Sequence, residues 1–553
     1  MEKRLIVAIA LCVAFMLVWS KLVPQQHPAP APAAPQSAPA APASAPPPLP
    51  ATATAPPAPG AGAANHPEQK VELDTPDVRF VFSSLGGTLV RAELRSAKFL
   101  DNPNDPSTGH DLVAFSDPRD AALRTDFADS GFPAPSDAAW QVRRVDAKTV
   151  VFATDTGTVH IEKRYIADAT RYRLHLDVSI TNRGGQPIDQ HLKISLSGRQ
   201  DPERRGGGFF AGSSANIASM LCFLNGKLDR KAIDKLGKDA FDAPTGARWI
   251  GSDEKFFLLA AVPYPLSPTV ERGCAAKPGA ESGTGTVTLT FGERRVPAQG
   301  TIDYPFAVYA GPKVITDLEA VQPGGEEVEL DKAVDVSLAI LSRPILSLLK
   351  FFHGFAHNWG LAIILLTVFI KAVTFYPTQK SLLSAKKMQK LAPKMNAIRK
   401  KYENDRQKQS VETMNLYKAH GVSPFGGCLP SLIQMPIWIA LYSTLNYAVE
   451  LYRAPFLHIH DLTAKDPFHL GPLPLPLTPL LMGVVMFVQM RMSPSGADQQ
   501  QQKMMSVMMP VMFTAFSLFL PAGLAIYMLT SYLIGILQQL WVNHLDRKGT
   551  VTV

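Results

Sequence analysis

The stretch WGLAIILLTVFIKAVTFY, residues 359–376, is apolar except for Lys371 and two threonines. Such a run approaches the ~20 residues that a helix needs to cross the hydrocarbon core of a bilayer. A charge inside a bilayer costs roughly 2.5 to 3.5 kcal/mol on insertion scales, so we expect Lys371 to face water or a polar partner. The stretch therefore predicts a membrane helix that carries one functional position.

Further apolar stretches lie on both sides of this one. One precedes it, at residues 5–19, and four follow it, at residues 425–449, 475–492, 504–520 and 523–542. Six spans place both chain termini on the same side of the membrane. Lys3 and Arg4 precede the first span, and the segment 381–420 holds most of the excess behind the net charge of +8. Both signals predict the cytoplasmic side under the positive-inside rule.

The rest of the 553-residue chain divides by composition. The first apolar stretch fits an uncleaved anchor or a cleaved signal sequence, and the missing small-x-small cleavage site favours an anchor. The predicted segments are an anchor at 1–23, a Pro/Ala-rich linker at 24–66, a β-sandwich domain at 67–325, an amphipathic helix at 331–357, a second span at 359–380, a basic helical hairpin at 381–420, the third to sixth spans at 424–543 and a short tail at 544–553.

Period-two alternation predicts strands in the soluble domain. One face of a predicted strand carries Tyr172, Leu174, Leu176, Val178 and Ile180. Helices do not alternate with strands in this domain, so the sequence does not indicate a parallel sheet. We therefore expect a large antiparallel sandwich. Cys222 and Cys274 share this domain, and the sequence leaves open whether they form a disulfide.

The segment 331–357 places apolar residues at helical spacing, with Leu341 and Phe355 at the two ends of the apolar face. The pattern fits a helix lying on the membrane surface, and it fits equally a helix packed under the soluble domain.

Depth along the helices indicates which polar residues meet Lys371. A straight helix ending at Lys380 puts Lys371 ~13 Å inside the bilayer, because each helical residue rises 1.5 Å. Counting along the other spans gives a similar depth for Gln434, Thr514 and Ser531, and Thr367 shares the face of Lys371 one turn away. We expect these residues to form a polar recess with Lys371, open from the cytoplasm, with ordinary interhelical hydrogen bonding as the alternative.

Four stretches of the sequence carry a resemblance to a known family. GGCLPSLIQMPIWIALY, residues 426–442, is very similar to the third-span signature of the YidC-type membrane protein insertases. PAGLAIY at 521–527 with Gln538 and Gln539, and Ser493-Pro494 followed by QQKMM at 501–505, look like later motifs of that family. WIGSDEKFF at 249–257 resembles its Gram-negative branch, which has a large periplasmic domain.

The resemblance implies a five-helix insertase core with a hydrophilic groove, and a periplasmic β-supersandwich. Lys371 matches the basic residue of the groove, where many Gram-negative members have arginine; lysine keeps the charge but lacks the bidentate fork. The implied substrate contacts are Met435, Trp438, Met482 and Phe516. The implied partners are newly made membrane proteins, the Sec translocon, the ribosome, signal recognition components and anionic lipids.

The segment 381–420 is predicted to be a hairpin with a basic face for anionic lipid or ribosomal RNA, although plain positive-inside charge explains part of it. Its basic residues include Lys386, Lys387, Lys390, Lys394, Arg399, Lys400 and Lys401.

The predicted function is insertion of hydrophobic segments into the inner membrane. No nucleotide-binding, hydrolase or zinc-protease motif is present, so we expect no enzyme activity, no cofactor and no metal. The alternatives are a secondary transporter, which predicts inverted repeats, and a structural accessory of the secretion translocon.

Overall fold

The described residues fold into an all-β domain followed by a helical core, which confirms the predicted combination at that level. In the computed structural model, the described residues are 67–547 without 102–104, 106–107, 114, 116, 118–119, 133, 135–137, 169, 201–216, 267–270, 335–337, 423–428, 467–468, 471–472, 475 and 494–498. The predicted anchor, the predicted linker and residues 548–553 lie outside them.

The β domain runs from Lys70 to Pro312, and its paired strands are antiparallel throughout the described part. The strands are β1 (Lys70–Asp74), β2 (Val78–Ser83), β3 (Thr88–Leu94), β4 (His110–Asp111), β5 (Arg124–Asp126), β6 (Gln141–Arg144), β7 (Thr149–Thr156), β8 (Val159–Ala167), β9 (Arg173–Asn182), β10 (Ile188–Gln190), β11 (Lys193–Arg199), β12 (Ser219–Leu224), β13 (Lys227–Ala232), β14 (Phe241–Ala243), β15 (Ala247–Asp253), β16 (Phe257–Pro263), β17 (Arg272–Pro278), β18 (Thr284–Phe291), β19 (Arg294–Val296) and β20 (Thr301–Pro312).

Two large sheets form the centre of the domain. The nine-stranded sheet has the order β13-β12-β15-β16-β20-β9-β8-β7-β6, and the five-stranded sheet has the order β14-β17-β18-β11-β5. A four-stranded sheet has the order β1-β2-β3-β4, and β10 pairs with β19 in a two-stranded sheet. Strands β12 and β15 of the larger sheet pack on β18 and β11 of the smaller one. The two sheets therefore share one apolar core, as a sandwich requires.

The predicted alternation is visible in β9. Leu174, Leu176, Val178 and Ile180 are fully buried, and the residues between them are partly exposed. Each buried aliphatic side chain contributes roughly 1.5 to 3 kcal/mol through removal of apolar surface from water. A disulfide joins Cys222 on β12 to Cys274 on β17, so it connects the two large sheets.

The helical core follows the domain. Its helices are α1 (Ile315–Glu319), α2 (Ala339–Ala356), α3 (Trp359–Val373), α4 (Phe375–Lys401), α5 (Arg406–Ala419), α6 (Leu429–Tyr447), α7 (Leu477–Met492), α8 (Gln499–Ser517) and α9 (Ala522–Arg547), and a short strand pair, β21 (His469–Leu470) and β22 (Leu473–Pro474), precedes α7. Pairs α7 with α9, α3 with α9, α2 with α3 and α7 with α8 pack together.

Six membrane spans stay a prediction. Within the described residues, one helix segment, Ala522–Leu545, is long and apolar enough to cross a bilayer alone, and the bent pair α3 and α4 makes a second if it is counted as one span. Helix α7 and the segment Ser506–Ser517 are apolar but shorter. Short spans are accommodated in part by local thinning of the bilayer.

Helix α2 occupies the place of the predicted amphipathic helix, but it begins at Ala339. Its buried residues Ser342, Leu346 and Leu349 face α3 and α6, and the Ser342 hydroxyl donates to the Ala440 carbonyl over 3.3 Å. Phe355, which the sequence places on the apolar face, is 82% exposed. The helix thus packs on the helical core with one face and leaves apolar side chains exposed on another.

A buried lysine links a strand of the β domain to two of its loops. The Lys163 ammonium on β8 is fully buried and donates to three carbonyls, those of Gly86 (2.9 Å), Gly87 (3.0 Å) and Leu123 (2.8 Å). The ammonium also lies 5.5 Å from the centre of the Trp140 ring. These bonds hold two loops on the strand.

Replacing Lys163 by methionine will remove this donor from the Gly86 and Leu123 carbonyls, whereas the Gly87 carbonyl keeps the hydrogen bond from the Tyr165 hydroxyl. Because an unsatisfied buried polar group costs about 1 to 3 kcal/mol, we expect Lys163→Met to lower the free energy of unfolding of the domain by roughly 3 kcal/mol. Denaturant unfolding followed by tryptophan fluorescence measures it. Lys148→Met, at an exposed position of the same domain, is the matched control, and equal stability of the two variants would contradict the prediction.

His110 joins two carboxylates beside the helical core. Its Nδ1 lies 3.2 Å from Asp101 and its Nε2 lies 3.1 Å from Glu254. Burial of the ring disfavours the charged form, but attraction by Glu254 and the hydrogen bonds to both carboxylates outweigh it and raise the pKa of His110 to about 9. The imidazolium is therefore the stable form at neutral pH.

This raised pKa predicts a pH dependence. The pKa of His110 is higher in the folded protein than its value of 6.5 in the unfolded chain, so protonated His110 stabilises the folded protein fully at pH values below 6.5. This contribution, on the order of 3 kcal/mol, is lost as the pH rises through about 9. The measurement is the unfolding midpoint between pH 6 and 10 for the wild type and His110→Gln. Lys163 and Lys255 titrate in the same range in both proteins, because burial lowers their pKa to about 7 and about 8. A constant difference between wild type and variant over this range would contradict the assignment.

Candidate functional site

Lys371 lies in the last turn of α3, at the border between two faces of the helix. One face, with Ile363, Leu366 and Thr367, is fully buried, and the other, with Val368, is about half exposed. Lys371 itself is half-buried, and the described residues offer it neither a hydrogen bond nor an ion pair. The helix dipole favours a cation at the carboxyl end of a helix. The N–H groups of the Lys371 ammonium nevertheless donate no hydrogen bond to the described residues.

A bend follows Lys371. Helix α3 ends at Val373, Thr374 has φ −86° and ψ 2°, and α4 continues at 62° to α3. Pro377 has no amide hydrogen, so the helical bond to the Val373 carbonyl is missing. The Thr374 hydroxyl and the Thr374 amide both donate to the Ile370 carbonyl, over 2.8 and 2.9 Å. The assumption of a straight helix over 359–380 is therefore wrong, and the depth calculated for Lys371 loses its basis. The second span at 359–380 stays a prediction. The predicted boundary between span and hairpin at residue 380 lies inside α4.

A polar cluster joins α6 and α9. The Gln434 side chain donates a hydrogen bond to the Tyr527 hydroxyl, which also interacts with the Ser531 side chain. Two of the predicted groove residues, Gln434 and Ser531, are thus brought together. Tyr527 was not among the predicted site residues, although it lies in the motif 521–527 and one helical turn before Ser531, a spacing that puts both on one face.

The other two uncharged residues of the predicted recess are occupied elsewhere. The Thr367 hydroxyl is buried and donates to the Ile363 carbonyl of its own helix over 2.7 Å. The Thr514 hydroxyl donates to the Pro510 carbonyl over 2.7 Å. Hydroxyls that bond back to the preceding turn are common inside apolar helices. Thr367 therefore belongs to the packed core, and the prediction that it lines an open recess does not fit its position.

The four predicted substrate contacts also separate. Met435 is 49% exposed on α6 and Phe516 is 36% exposed on α8. Trp438 is partly buried and stacks on Tyr442 with 5.7 Å between ring centres. Met482 is fully buried in the core between α3, α7 and α9. This position does not fit an exposed surface for substrate, and the assignment of Met482 stays a prediction.

The basic segment forms a hairpin of α4 and α5. Leu391, Met395 and Tyr417 pack between the two helices, and the Tyr417 hydroxyl donates to the Met395 sulfur over 2.9 Å. The predicted basic residues differ in exposure: Lys386 and Lys387 are half-buried, and the exposed ones are Lys390, Lys394, Arg399, Lys400 and Lys401. Within the described ranges no group of histidine, cysteine or carboxylate side chains could hold a metal ion.

Comparison with known proteins shows which proteins the chain is similar to. Two family models match it, "YidC periplasmic domain" over residues 70–348 and "60Kd inner membrane protein" over residues 351–548. Proteins named membrane protein insertase YidC are similar over nearly the whole length: that of Anaeromyxobacter dehalogenans (strain 2CP-C) is 34% identical, covering 97% of this chain and 96% of its own, and that of Geobacter metallireducens is 33% identical, covering 98% of each. A crystal structure of an active YidC insertase, 18% identical, covers 85% of this chain and 94% of its own with a TM-score of 0.36.

The bond between Gln434 and Tyr527 can be measured by a double-mutant cycle. Interhelical hydrogen bonds in membranes couple by about 0.6 to 1.7 kcal/mol, and we expect Gln434→Leu and Tyr527→Phe to show a coupling free energy in that range. Unfolding in detergent supplies the four free energies. The matched cycle uses Tyr532→Phe, whose hydroxyl has no hydrogen bond to the described residues; a coupling of the same size there would refute the assignment.

Proposed function

We propose, since the chain belongs to the YidC family of membrane protein insertases, that its helical core takes hydrophobic segments of newly made proteins from the cytoplasm into the inner membrane through a groove lined by Lys371, Gln434 and Ser531. The observation that carries this proposal is a half-buried cation without a bonded partner among the described residues, in a helix that is otherwise apolar. A charge in such a place is expensive unless it serves a ligand or faces water.

The energetics need no nucleotide. Moving an apolar segment of ~20 residues from water to lipid is favourable by itself, since each leucine-like residue contributes roughly 0.3 to 0.6 kcal/mol on insertion scales. The opposing cost is the passage of the polar tail that must cross. A polar groove shortens the apolar part of that passage, and the Lys371 cation lowers the cost further for tails that carry negative charge.

The exposed apolar residues beside the groove have the second role. Met435 on α6 and Phe516 on α8 are open to contact, and Trp438 lies one turn after Met435 on a related face. We assign these three residues to the apolar segment of the substrate. Methionine suits this role because its flexible thioether side chain adapts to differently shaped apolar partners.

The topology belongs to the same proposal. Six spans place both termini and the hairpin in the cytoplasm, and the β domain in the periplasm. The basic face of the hairpin is then the surface that we assign to anionic lipids, to the ribosome or to signal recognition components. The Sec translocon is a further partner in this proposal.

Substitution of Lys371 tests the role of its charge. In proteoliposomes with a single-span substrate that bears an acidic tail, we expect Lys371→Ala to slow insertion about tenfold, which corresponds to an attraction of about 1.4 kcal/mol. Lys371→Arg keeps the charge and should retain most of the rate. The assay measures protection of the inserted tail from added protease.

Two controls separate charge from other effects. Lys380→Ala removes an exposed lysine from α4 and is expected to insert at the wild-type rate. A substrate with a neutral tail should be slowed much less by Lys371→Ala. Equal slowing of acidic and neutral tails would refute attraction by the lysine.

A further inference from the structure

The disulfide between Cys222 and Cys274 lies inside the β sandwich and joins β12 of the nine-stranded sheet to β17 of the five-stranded sheet. We propose that this pair is a modification site, which a thiol–disulfide oxidoreductase outside the cytoplasm oxidises while the β domain folds. The bond then fixes the strands that hold the segment leading to α2.

The folded domain gives an oxidant no access to either sulfur. Cys222 is fully buried and Cys274 is 2% exposed. Ile250, opposite Cys222 on β15, and Leu289, opposite Cys274 on β18, are also fully buried. Thiol–disulfide exchange needs direct contact between the attacking sulfur and the disulfide, so a protein oxidant requires exposed cysteines. Oxidation therefore precedes the final closing of the two sheets.

The exchange reaction balances with a protein disulfide as the oxidant. The thiolate of one cysteine attacks a sulfur of the oxidant's disulfide, which forms a mixed disulfide and releases the oxidant's second sulfur as a thiolate. The thiolate of the other cysteine then attacks the mixed disulfide, and the bond between Cys222 and Cys274 forms. The pair loses two electrons and two protons, and the oxidant takes up both and leaves as a dithiol. Disulfides form and persist outside the cytoplasm, so the reaction belongs to that side of the membrane.

The bond closes a long loop of the chain. Its two cysteines are 52 residues apart, and the stretch between them holds β13, β14, β15 and β16. A cross-link over a loop of this length restricts the unfolded chain enough to favour folding by a factor of about a thousand. Without the bond, the two sheets are expected to separate more often.

The strands on both sides of β12 bind the segment that leads to α2. This segment, residues 326–334, is called here the strap. On β13, the Arg230 guanidinium donates to the Ala333 carbonyl over 2.5 Å, and on β15 the Trp249 indole donates to the Val328 carbonyl over 2.9 Å. Because β12 lies between β13 and β15, the disulfide fixes all three strands to the other sheet.

The strap connects this part of the β domain to the helical core. Val328 and Leu330 of the strap are buried in the core of the β domain. Asp331 of the strap pairs with Arg343 of α2 over 2.5 Å, and α2 packs on α3 and α6. A looser sheet without the disulfide is therefore expected to loosen the attachment of α2 as well.

Thiol trapping in intact cells tests the modification. The chain carries Cys12→Ser and Cys428→Ser, and after acid quenching and denaturation a maleimide–polyethylene glycol adds mass for each free thiol. We expect no added mass in untreated cells, and mass added at both cysteines in cells that lack their extracytoplasmic thiol oxidoreductases. Free thiols in untreated cells, or full oxidation without these oxidoreductases, would overturn the modification.

The inference rests on the proposed function only for the side of the membrane on which the β domain lies. Lys148→Cys, at an exposed position of the domain, reports this side through a membrane-impermeant maleimide added to intact spheroplasts. If Lys148→Cys is labelled while Cys222 and Cys274 are reduced in untreated cells, the topology stands and the modification fails. Protection of Lys148→Cys would contradict both.

Refolding of the purified full-length chain tests the order of events. The chain is reduced in urea and detergent, and an oxidised thiol oxidoreductase is present from the start of refolding or is added after refolding. We expect oxidation to be at least about tenfold slower in the second case, because the sulfurs are then exposed only when the sheets open. Equal rates in the two cases would contradict the proposed order.

Hydrogen exchange tests the link between the disulfide and the strap. We expect the amides of residues 327–334 to exchange at least about tenfold faster in Cys222→Ala/Cys274→Ala than in the wild type. The amides of β2 and β3, in the separate four-stranded sheet, should keep their rates, which also shows that the variant is folded. Wild-type chain refolded without an oxidant gives the same comparison without a substitution.

The single variants separate loss of the bond from loss of a side chain. Cys222→Ala and Cys274→Ala should each match the double variant, because either substitution removes the bond. Effects of the two single variants that add up in the double variant, or unchanged exchange in the strap, would overturn the link.

Discussion

A polar side chain inside an apolar helical bundle must find a hydrogen-bond partner or water. Gln434 finds the Tyr527 hydroxyl, and this bond ties α6 to α9 across the core. Lys371 has no such partner among the described residues. The contrast separates two kinds of polar residue: a bonded cluster that helps to hold the helices together, and a cation that the described residues leave without a hydrogen bond or ion pair.

The two ends of the helical core follow different physical rules. At one end, the bend at Thr374 carries the chain away into a basic hairpin, and exposed cations dominate. At the other end, the loop between α6 and α7 supplies hydrogen bonds to helix termini and apolar side chains to the core, and the β domain bonds to this loop. This asymmetry fits the proposed function, in which chains arrive from the hairpin side.

Much of the fold follows from simple periodicity. The alternation along β9 predicted its buried face, because each apolar residue falls on the side of the shared core. The hairpin followed from helical spacing of Leu391, Met395 and Tyr417. Lys371 stood out as a candidate site residue because it is the charged residue within an apolar stretch.

The differences between the sequence-based predictions and the structure have physical causes. The depth count assumed a straight helix and ignored Pro377, which removes one hydrogen bond and permits the bend. Thr367 and Met482 were assigned to accessible surfaces because spacing gives a face but not what packs against it, and both are fully buried. The two hydrogen bonds of Lys98 join segments 351 and 352 residues apart in sequence, and no local sequence pattern predicts them.

The proposed insertase function requires that this chain can move a hydrophobic segment into a bilayer without nucleotide. The most direct measurement is insertion of a single-span protein by the purified full-length chain in liposomes without nucleotide or any other protein. The account predicts a protease-protected product well above that of empty liposomes. An amount equal to that of empty liposomes would contradict it.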